Sequence, residues 1–427
     1  MVEPLDICLD DDILKLQGSE LEYVFYTILF PPLCFIGIVG NCLNLTVLLS
    51  AESRTRRSIA AQRSSGLLIA LAFCDCLFLL LMVPHSLANF PSVGLNFTFR
   101  FYYLPLKVHL LSIANWCSAV TIWLIIFICT ERLLGIRSLL RASGQWAIFT
   151  TLHIVIAIVF ITGALTFYNH FSYHCVVKEI CNHKQIISKC FDVVQDPWPG
   201  NRTNFTPDAV KIYVRWSMIL NAVLIILLPI VIMVGLNIAL LYVVRKQSFL
   251  MYNRLNSDMS SMNVGSSSTR RRTSGSIDKT NDNGPTTNVF RRSIDQTLQF
   301  QAEHRVTVTV CAIVTCFTIT QGPSAIMLSM NFLFGSQRQS PIWYHANTIT
   351  SFLVIVGKTL NFILFCLSSA SFRRRLKTIL HKKFLLFSRN SSLLMNGSAG
   401  ISQASLKKNV VPLVHQTSSS VDNRRFS

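Results

Sequence analysis

Residues 65–90 read SGLLIALAFCDCLFLLLMVPHSLANF, an apolar run interrupted by one acid, Asp75. At about 1.5 Å per residue, some 20 apolar residues cross the roughly 30 Å hydrocarbon layer of a bilayer, so this stretch is long enough to span. A carboxylate at mid-bilayer costs about 2.5–3.5 kcal/mol on insertion scales. Its side chain is too short to snorkel to the interface, so Asp75 requires a polar partner inside the protein. Further runs of the same kind lie at about 24–50, 102–135, 146–168, 213–245, 303–333 and 342–367, which makes seven spans.

Composition agrees with the runs. Of the 427 residues, 51% are hydrophobic and 14% charged, against about 25% charged in soluble domains. A soluble enzyme, a disordered chain and a small disulfide scaffold are therefore poor readings. The formal net charge of +19 invites a nucleic-acid reading. The positive residues, however, sit in loops and tail between the spans, where they face anionic inner-leaflet lipid, so membrane lipid is an expected partner and nucleic acid is not.

Charge also sets direction. The first 23 residues carry Glu3, Asp6, Asp10, Asp11, Asp12, Glu20 and Glu22 against Lys15, and they lack the basic start and cleavage site of a signal peptide. Arg54, Arg56, Arg57 and Arg63 follow the first span, and Arg373, Arg374, Arg375, Lys377, Lys382 and Lys383 follow the last. Positive-inside counting places the N-terminus outside the plasma membrane and the tail in the cytoplasm. The expected organisation is an extracellular N-terminus, 1–23; a bundle, 24–368, with a disordered cytoplasmic loop at 246–302; an amphipathic helix, 369–381; and a disordered tail, 382–427. Phe372, Leu376, Ile379 and Leu380 alternate with basic residues in the amphipathic segment, as suits a helix lying on the inner leaflet. Serines beside Arg270–Arg272 and Arg291–Arg292, and the tail run Thr417–Ser420, are expected kinase substrates.

The outer loop 169–212 holds two glycosylation sequons, at Asn201 and Asn204. The sequon at Asn44 lies within the first span and is expected to be silent. Cys8, Cys175, Cys181 and Cys190 form an even set on the outer, oxidising side, so two disulfides are expected, with three connectivities open.

Lys358 is the second ionisable residue at mid-membrane, about ten residues or roughly 15 Å of helix above the cytoplasmic end of the last span. Acid and base at similar depth suggest an ion pair, with Asn41 and Asn361 as hydrogen-bonding neighbours; a hydrated crevice around Lys358 is the alternative. Glu131, Arg132 and Glu303 stand at cytoplasmic helix ends, where spacing alone reads them as ordinary charged termini.

Taken in order, these features resemble the rhodopsin-like (class A) G-protein-coupled receptors over residues 24–381. Gly40-Asn41, Leu71-Ala72 with Asp75, Glu131-Arg132, Pro229, Pro323, Asn361–Phe365 and Ser371–Leu376 carry the likeness. Asn237 and the segment Asn361–Leu367 further resemble invertebrate, including nematode, receptors for FMRFamide-type neuropeptides. The resemblance implies an all-α membrane fold, a seven-transmembrane helix bundle with a short amphipathic eighth helix. It also implies coupling to a heterotrimeric G protein, with arrestin and kinases as further partners at the tail. Switch and coupling roles then fall to Glu131, Arg132, Glu303, Asn361 and Phe365, with an Arg132–Glu303 latch closing the inactive state.

The sequence departs from that pattern in several places. Lys107 replaces the cysteine at the outer end of helix three, so the usual bridge to the second outer loop cannot form. Trp146 lies too near the cytoplasmic end to be the helix-four tryptophan. Gln321 replaces the helix-six tryptophan, and Phe362 and Phe365 replace the proline and tyrosine of helix seven. In the family, the level of Lys358 belongs to a polar pocket holding sodium beside the helix-two aspartate, with Thr121 a neighbour. A lysine ammonium in the cation's place is expected to remove sodium regulation of agonist affinity.

Ala114 stands where amine receptors carry aspartate, and Lys358 lies one turn too deep for an opsin's Schiff base. The expected ligand is an extracellular peptide, an amidated neuropeptide, with His85, Lys107, Asn115, Gln321 and Asn347 as candidate pocket residues. The rival within the class is a chemosensory receptor for an environmental small molecule. A transporter or channel is the remote alternative, because only Asp75 and Lys358 occupy mid-membrane. No nucleophile–base or metal constellation is apparent, so neither enzymatic activity nor a cofactor is expected.

Overall fold

The computed structural model describes residues 8–16, 18–50, 59–136, 144–264, 308, 311–327, 330, 341–368 and 372–382. The chain forms two compact units, Met1–Arg373 and Arg374–Ser427. The first is a bundle of seven helices: α1 (Glu20–Leu49), α2 (Ile59–Leu87), α3 (Phe97–Ile136), α4 (Gly144–Thr166), α5 (Asp208–Asn221, Ala222–Leu227 and Leu228–Val264), α6 (Cys311–Met327) and α7 (Pro341–Ser368). Six are long and apolar enough to cross a membrane; α6 is a shorter apolar helix over its described residues. In the second unit the described residues, 374–382, are helical, and Thr378 Oγ1 donates to Arg374 O at 3.0 Å.

Local chemistry sets several helix starts and bends. Ser19 caps α1, its Oγ accepting from Glu22 N at 3.2 Å while Glu22 Oε2 takes Gly18 N at 2.7 Å, a variant of the capping box. Asn96 caps α3 by accepting from Phe99 N at 3.1 Å. A proline within a helix removes one hydrogen bond and crowds the preceding turn. Just before Pro31 and Pro229 the backbone widens by one residue, so Phe30 N reaches Phe25 O and Leu228 N reaches Val223 O.

The side-chain distribution is that of a membrane bundle. Phe160, Val231 and Phe35 are 73%, 70% and 69% exposed, so large apolar groups cover the outside of the helices. Inside are two apolar clusters. One joins α2, α3, α4, α5 and α6 around Leu71, Leu124, Ile125, Leu240 and Val314; the other joins α1, α2, α3 and α7 around Phe30, Leu79, Cys117 and Ile355. Close helix contact needs small residues, and α1 supplies them. A Cβ on Gly37 would stand 2.5 Å from Leu79 Cδ1 and 2.7 Å from Thr359 Oγ1, and one on Gly40 would stand 2.5 Å from the Phe362 ring.

Between α4 and α5 the chain forms an antiparallel hairpin, β1 (Tyr173–Ile180) and β2 (Gln185–Asp192), where the sequence suggested only a long loop. The disulfides are Cys175–Cys190, across the hairpin, and Cys8–Cys181, which ties the N-terminal segment to the hairpin's turn. Leu9 and Gln185 reinforce that tie reciprocally: Leu9 N donates to Gln185 Oε1 and Gln185 Nε2 to Leu9 O, both at 2.9 Å. Buried Arg100 of α3 donates to Ile186 O, Leu14 O and Gly94 O at 2.7, 2.8 and 2.9 Å. One guanidinium thereby links the N-terminal turn, the α2–α3 connection and β2 to the bundle.

A second difference lies at the opposite face. The segment 246–264, expected to be part of a disordered loop, continues α5 as helix to Val264. It contains neither glycine nor proline, and Gly265 is the first residue to offer a break. The remainder of that loop, and the tail beyond residue 382, lie outside the described residues.

Candidate functional site

Asp75 on α2 and Lys358 on α7 meet at mid-bundle, 0% and 1% exposed respectively, so bulk solvent reaches neither. Lys358 Nζ lies 2.8 Å from Asp75 Oδ1, an ion pair rather than an aligned hydrogen bond. Thr121 Oγ1 of α3 donates to the same oxygen at 3.1 Å, and Asn361 Nδ2 of α7 donates to Oδ2 at 2.6 Å. Three helices thus converge on one carboxylate, and both of its oxygens are engaged. Asn41 stands beside the pair rather than in it: its Nδ2 donates to Gly37 O at 2.9 Å and to Lys358 O at 3.4 Å.

A cavity of about 280 Å³ opens one helical turn toward the hairpin face. Phe78 and Met82 of α2, Leu111, Ala114, Asn115 and Ser118 of α3, Asn221 and Ile225 of α5, Phe317 and Gln321 of α6 and Ser351 and Val354 of α7 line it. Among the described residues no Asp, Glu, Lys, Arg or His does so. Asn221 is buried; its Nδ2 donates to Tyr168 Oη at 3.1 Å, whereas its Oδ1 has no hydrogen-bond partner. An unpaired buried acceptor costs about 1–3 kcal/mol, which a ligand donor or a water recovers.

Cavity and ion pair share a wall. Phe78 lines the cavity, and its ring lies 5.2 Å from Lys358 Nζ. Val354, on the cavity, is one turn from Lys358 along α7, and its carbonyl accepts from Gln321 Nε2 at 3.3 Å. A molecule pressing on Phe78 or separating Gln321 from Val354 therefore acts directly on the α2–α7 and α6–α7 contacts.

Of the pocket residues expected from sequence, the structure brings Asn115 and Gln321 to the cavity and not His85, Lys107 or Asn347. Half-buried His85 shares a 2.7 Å hydrogen bond with Tyr103 Oη and packs edge-on to Tyr26, so it belongs to the α1–α2–α3 contact. Lys107 is half-buried one turn above Leu111, and Asn347 is exposed one turn beyond Ser351. Asn221, Ser118, Ser351 and Tyr168 were not singled out by sequence; Asn221, a lone amide in the apolar run 217–236, is the one that carried a signal. Also unnoticed was a third sequon on the hairpin face, Asn96-Phe97-Thr98. The Arg132 and Phe365 side chains and all of Glu303 lie outside the described residues.

Two comparisons with known proteins bear on this arrangement. Residues 29–274 match the family described as serpentine type 7TM GPCR chemoreceptor Srw. A Caenorhabditis elegans protein named "Putative G-protein coupled receptor F59B2.13" is 36% identical over 371 residues, spanning 87% of this chain and 76% of that protein. The chain belongs to the Srw family of serpentine seven-transmembrane G-protein-coupled receptors. Neither match carries the likeness to rhodopsin-like (class A) receptors or the finer one to FMRFamide-type neuropeptide receptors.

Proposed function

We propose that this Srw-family receptor is chemosensory. It takes a small, neutral, mostly apolar molecule from the hairpin side, in a plasma membrane with the N-terminus outside, and relays binding to a heterotrimeric G protein at the opposite face. The observation that carries the reading is the cavity of about 280 Å³, uncharged among its described lining residues, with a buried unpaired acceptor in Asn221 Oδ1. Ligand cavities run from about 300 to 1,000 Å³, so this one is matched to a small molecule. The absence of charge among the described lining residues disfavours an ionic ligand, whose desolvation would go uncompensated. Asn221 favours a hydroxyl or amide donor.

Signalling follows from differential affinity. A ligand shifts a two-state equilibrium only by binding one state better, and a few kcal/mol suffices. Here the bistable contacts are those of Phe78 with the ion pair and of Gln321 with Val354. The Arg132–Glu303 latch, and arrestin and kinase docking at the tail, remain parts of this proposal that draw on the class resemblance.

An amidated peptide is the second reading. A C-terminal carboxamide is neutral and donates hydrogen bonds, so it satisfies Asn221, and acidic Asp10–Asp12 suit a basic peptide on the same face. One assay separates the two: second-messenger output from cells expressing the chain, challenged with a panel of small neutral odorant-like molecules and a panel of amidated peptides. A saturable response confined to the first panel is the expected result. A response confined to peptides overturns the chemosensory reading.

A further inference from the structure

Three Asn-X-Thr sequences lie on the hairpin face, at Asn96, Asn201 and Asn204, and the fold treats their amides differently. Asn204 Nδ2 uses both of its hydrogens, donating to Val193 O at 2.9 Å and to Gln195 O at 3.0 Å, while its Oδ1 accepts from Thr206 N at 3.0 Å. The side chain is half-buried and stitches the end of β2 to the segment leading into α5. Asn201 is exposed at the tip of a tight loop closed by the Trp198–Arg202 bridge, with φ of 56° following Gly200 at 83°. Asn96 is exposed too, and only its Oδ1 is engaged, as the α3 cap.

N-glycosylation joins Asn Nδ2 to C1 of the first sugar of a lipid-linked pyrophosphoryl oligosaccharide. The C1–O bond breaks with its electron pair leaving on the pyrophosphate, and the amide nitrogen gives up one proton. The modified nitrogen keeps a single hydrogen. Asn96 and Asn201 lose nothing by this, whereas Asn204 must give up at least one of its two carbonyl partners and admit a sugar where Val193 and Gln195 now sit. Asn201 also emerges first during synthesis, and a glycan there stands within about 10 Å of Asn204 even in extended chain.

We infer that the fold sorts these sequons: Asn96 and Asn201 carry glycans, and Asn204 stays unmodified as a structural tie. The inference rests on the hairpin face being extracellular. The test expresses the full chain with an N-terminal epitope in animal cells, removes glycans with peptide-N-glycosidase in ¹⁸O-water, and maps the heavy aspartates by mass spectrometry. Label is expected at positions 96 and 201 and not at 204. Thr203→Ala should remove one glycan's mobility step, and Thr206→Ala, which destroys the second sequon but keeps the Asn204 side chain, should leave mobility unchanged. Asn204→Ala should retain the glycan on Asn201 but expose the 193–206 segment to protease. Label at 204, or a mobility step lost in Thr206→Ala, overturns the inference. Unlabelled 96 or 201 with the epitope accessible on intact cells also overturns it; an epitope inaccessible on intact cells instead overturns the orientation, and the inference with it.

Discussion

At mid-bundle Lys358 Nζ stands 2.8 Å from Asp75 Oδ1, and Thr121 and Asn361 donate to the same carboxylate. Removing one member of a buried pair strands the other, at about 3–5 kcal/mol, whereas replacing both with uncharged groups of similar size is often close to neutral. Asp75→Asn is therefore expected to lower the melting temperature of purified receptor sharply, and Asp75→Asn with Lys358→Met to recover most of the loss. If the double variant melts no higher than the single, the pair does not have this role. The ammonium also fills the space beside the carboxylate that a cation would need. Exchanging sodium for potassium at constant ionic strength should leave agonist affinity unchanged in the natural protein, while Lys358→Met, which frees Asp75, should gain sodium sensitivity. Sodium dependence in the natural protein would contradict this account.

Among the elements, α6 and α7 make a contact with no room for a single added atom. A Cβ on Gly357 would lie 2.3 Å from Thr320 Oγ1 and 3.2 Å from Gln321 Nε2, so Gly357→Ala pushes α6 away from α7. The expected outcome is raised ligand-independent signalling at normal surface expression, read as basal second messenger; unchanged basal output would show that this contact does not hold the resting state. At the hairpin, Arg100→Met removes the donor for three carbonyls, at about 1–3 kcal/mol for each left buried and unpaired. Faster proteolysis of the 173–192 hairpin in intact cells is the check. These elements were not equally legible in the sequence. Runs such as 65–90 announce themselves by length and lack of charge, but the hairpin does not, because β1 is largely exposed on both faces and shows no alternation. The Asp75–Lys358 contact was foreseeable because two isolated charges at one depth have few other partners. The cavity was not, because rotation of nearly uniform apolar helices decides that Ser351, not Asn347, faces inward.

On the scale of the whole molecule, the bundle is an apolar surface around a buried ion pair, with a cavity whose described lining is uncharged above the pair and Phe78 between them. Family membership supplies the G-protein output, and in the function proposed above the cavity selects the input. The most direct measurement is the agonist concentration–response of the natural receptor beside Asn221→Ala and Asn347→Ala at matched surface expression. Loss of one hydrogen bond, about 1 kcal/mol, should raise the half-maximal concentration about fivefold in Asn221→Ala and leave Asn347→Ala unchanged. A shift in Asn347→Ala with none in Asn221→Ala would place the ligand outside this cavity and contradict the account.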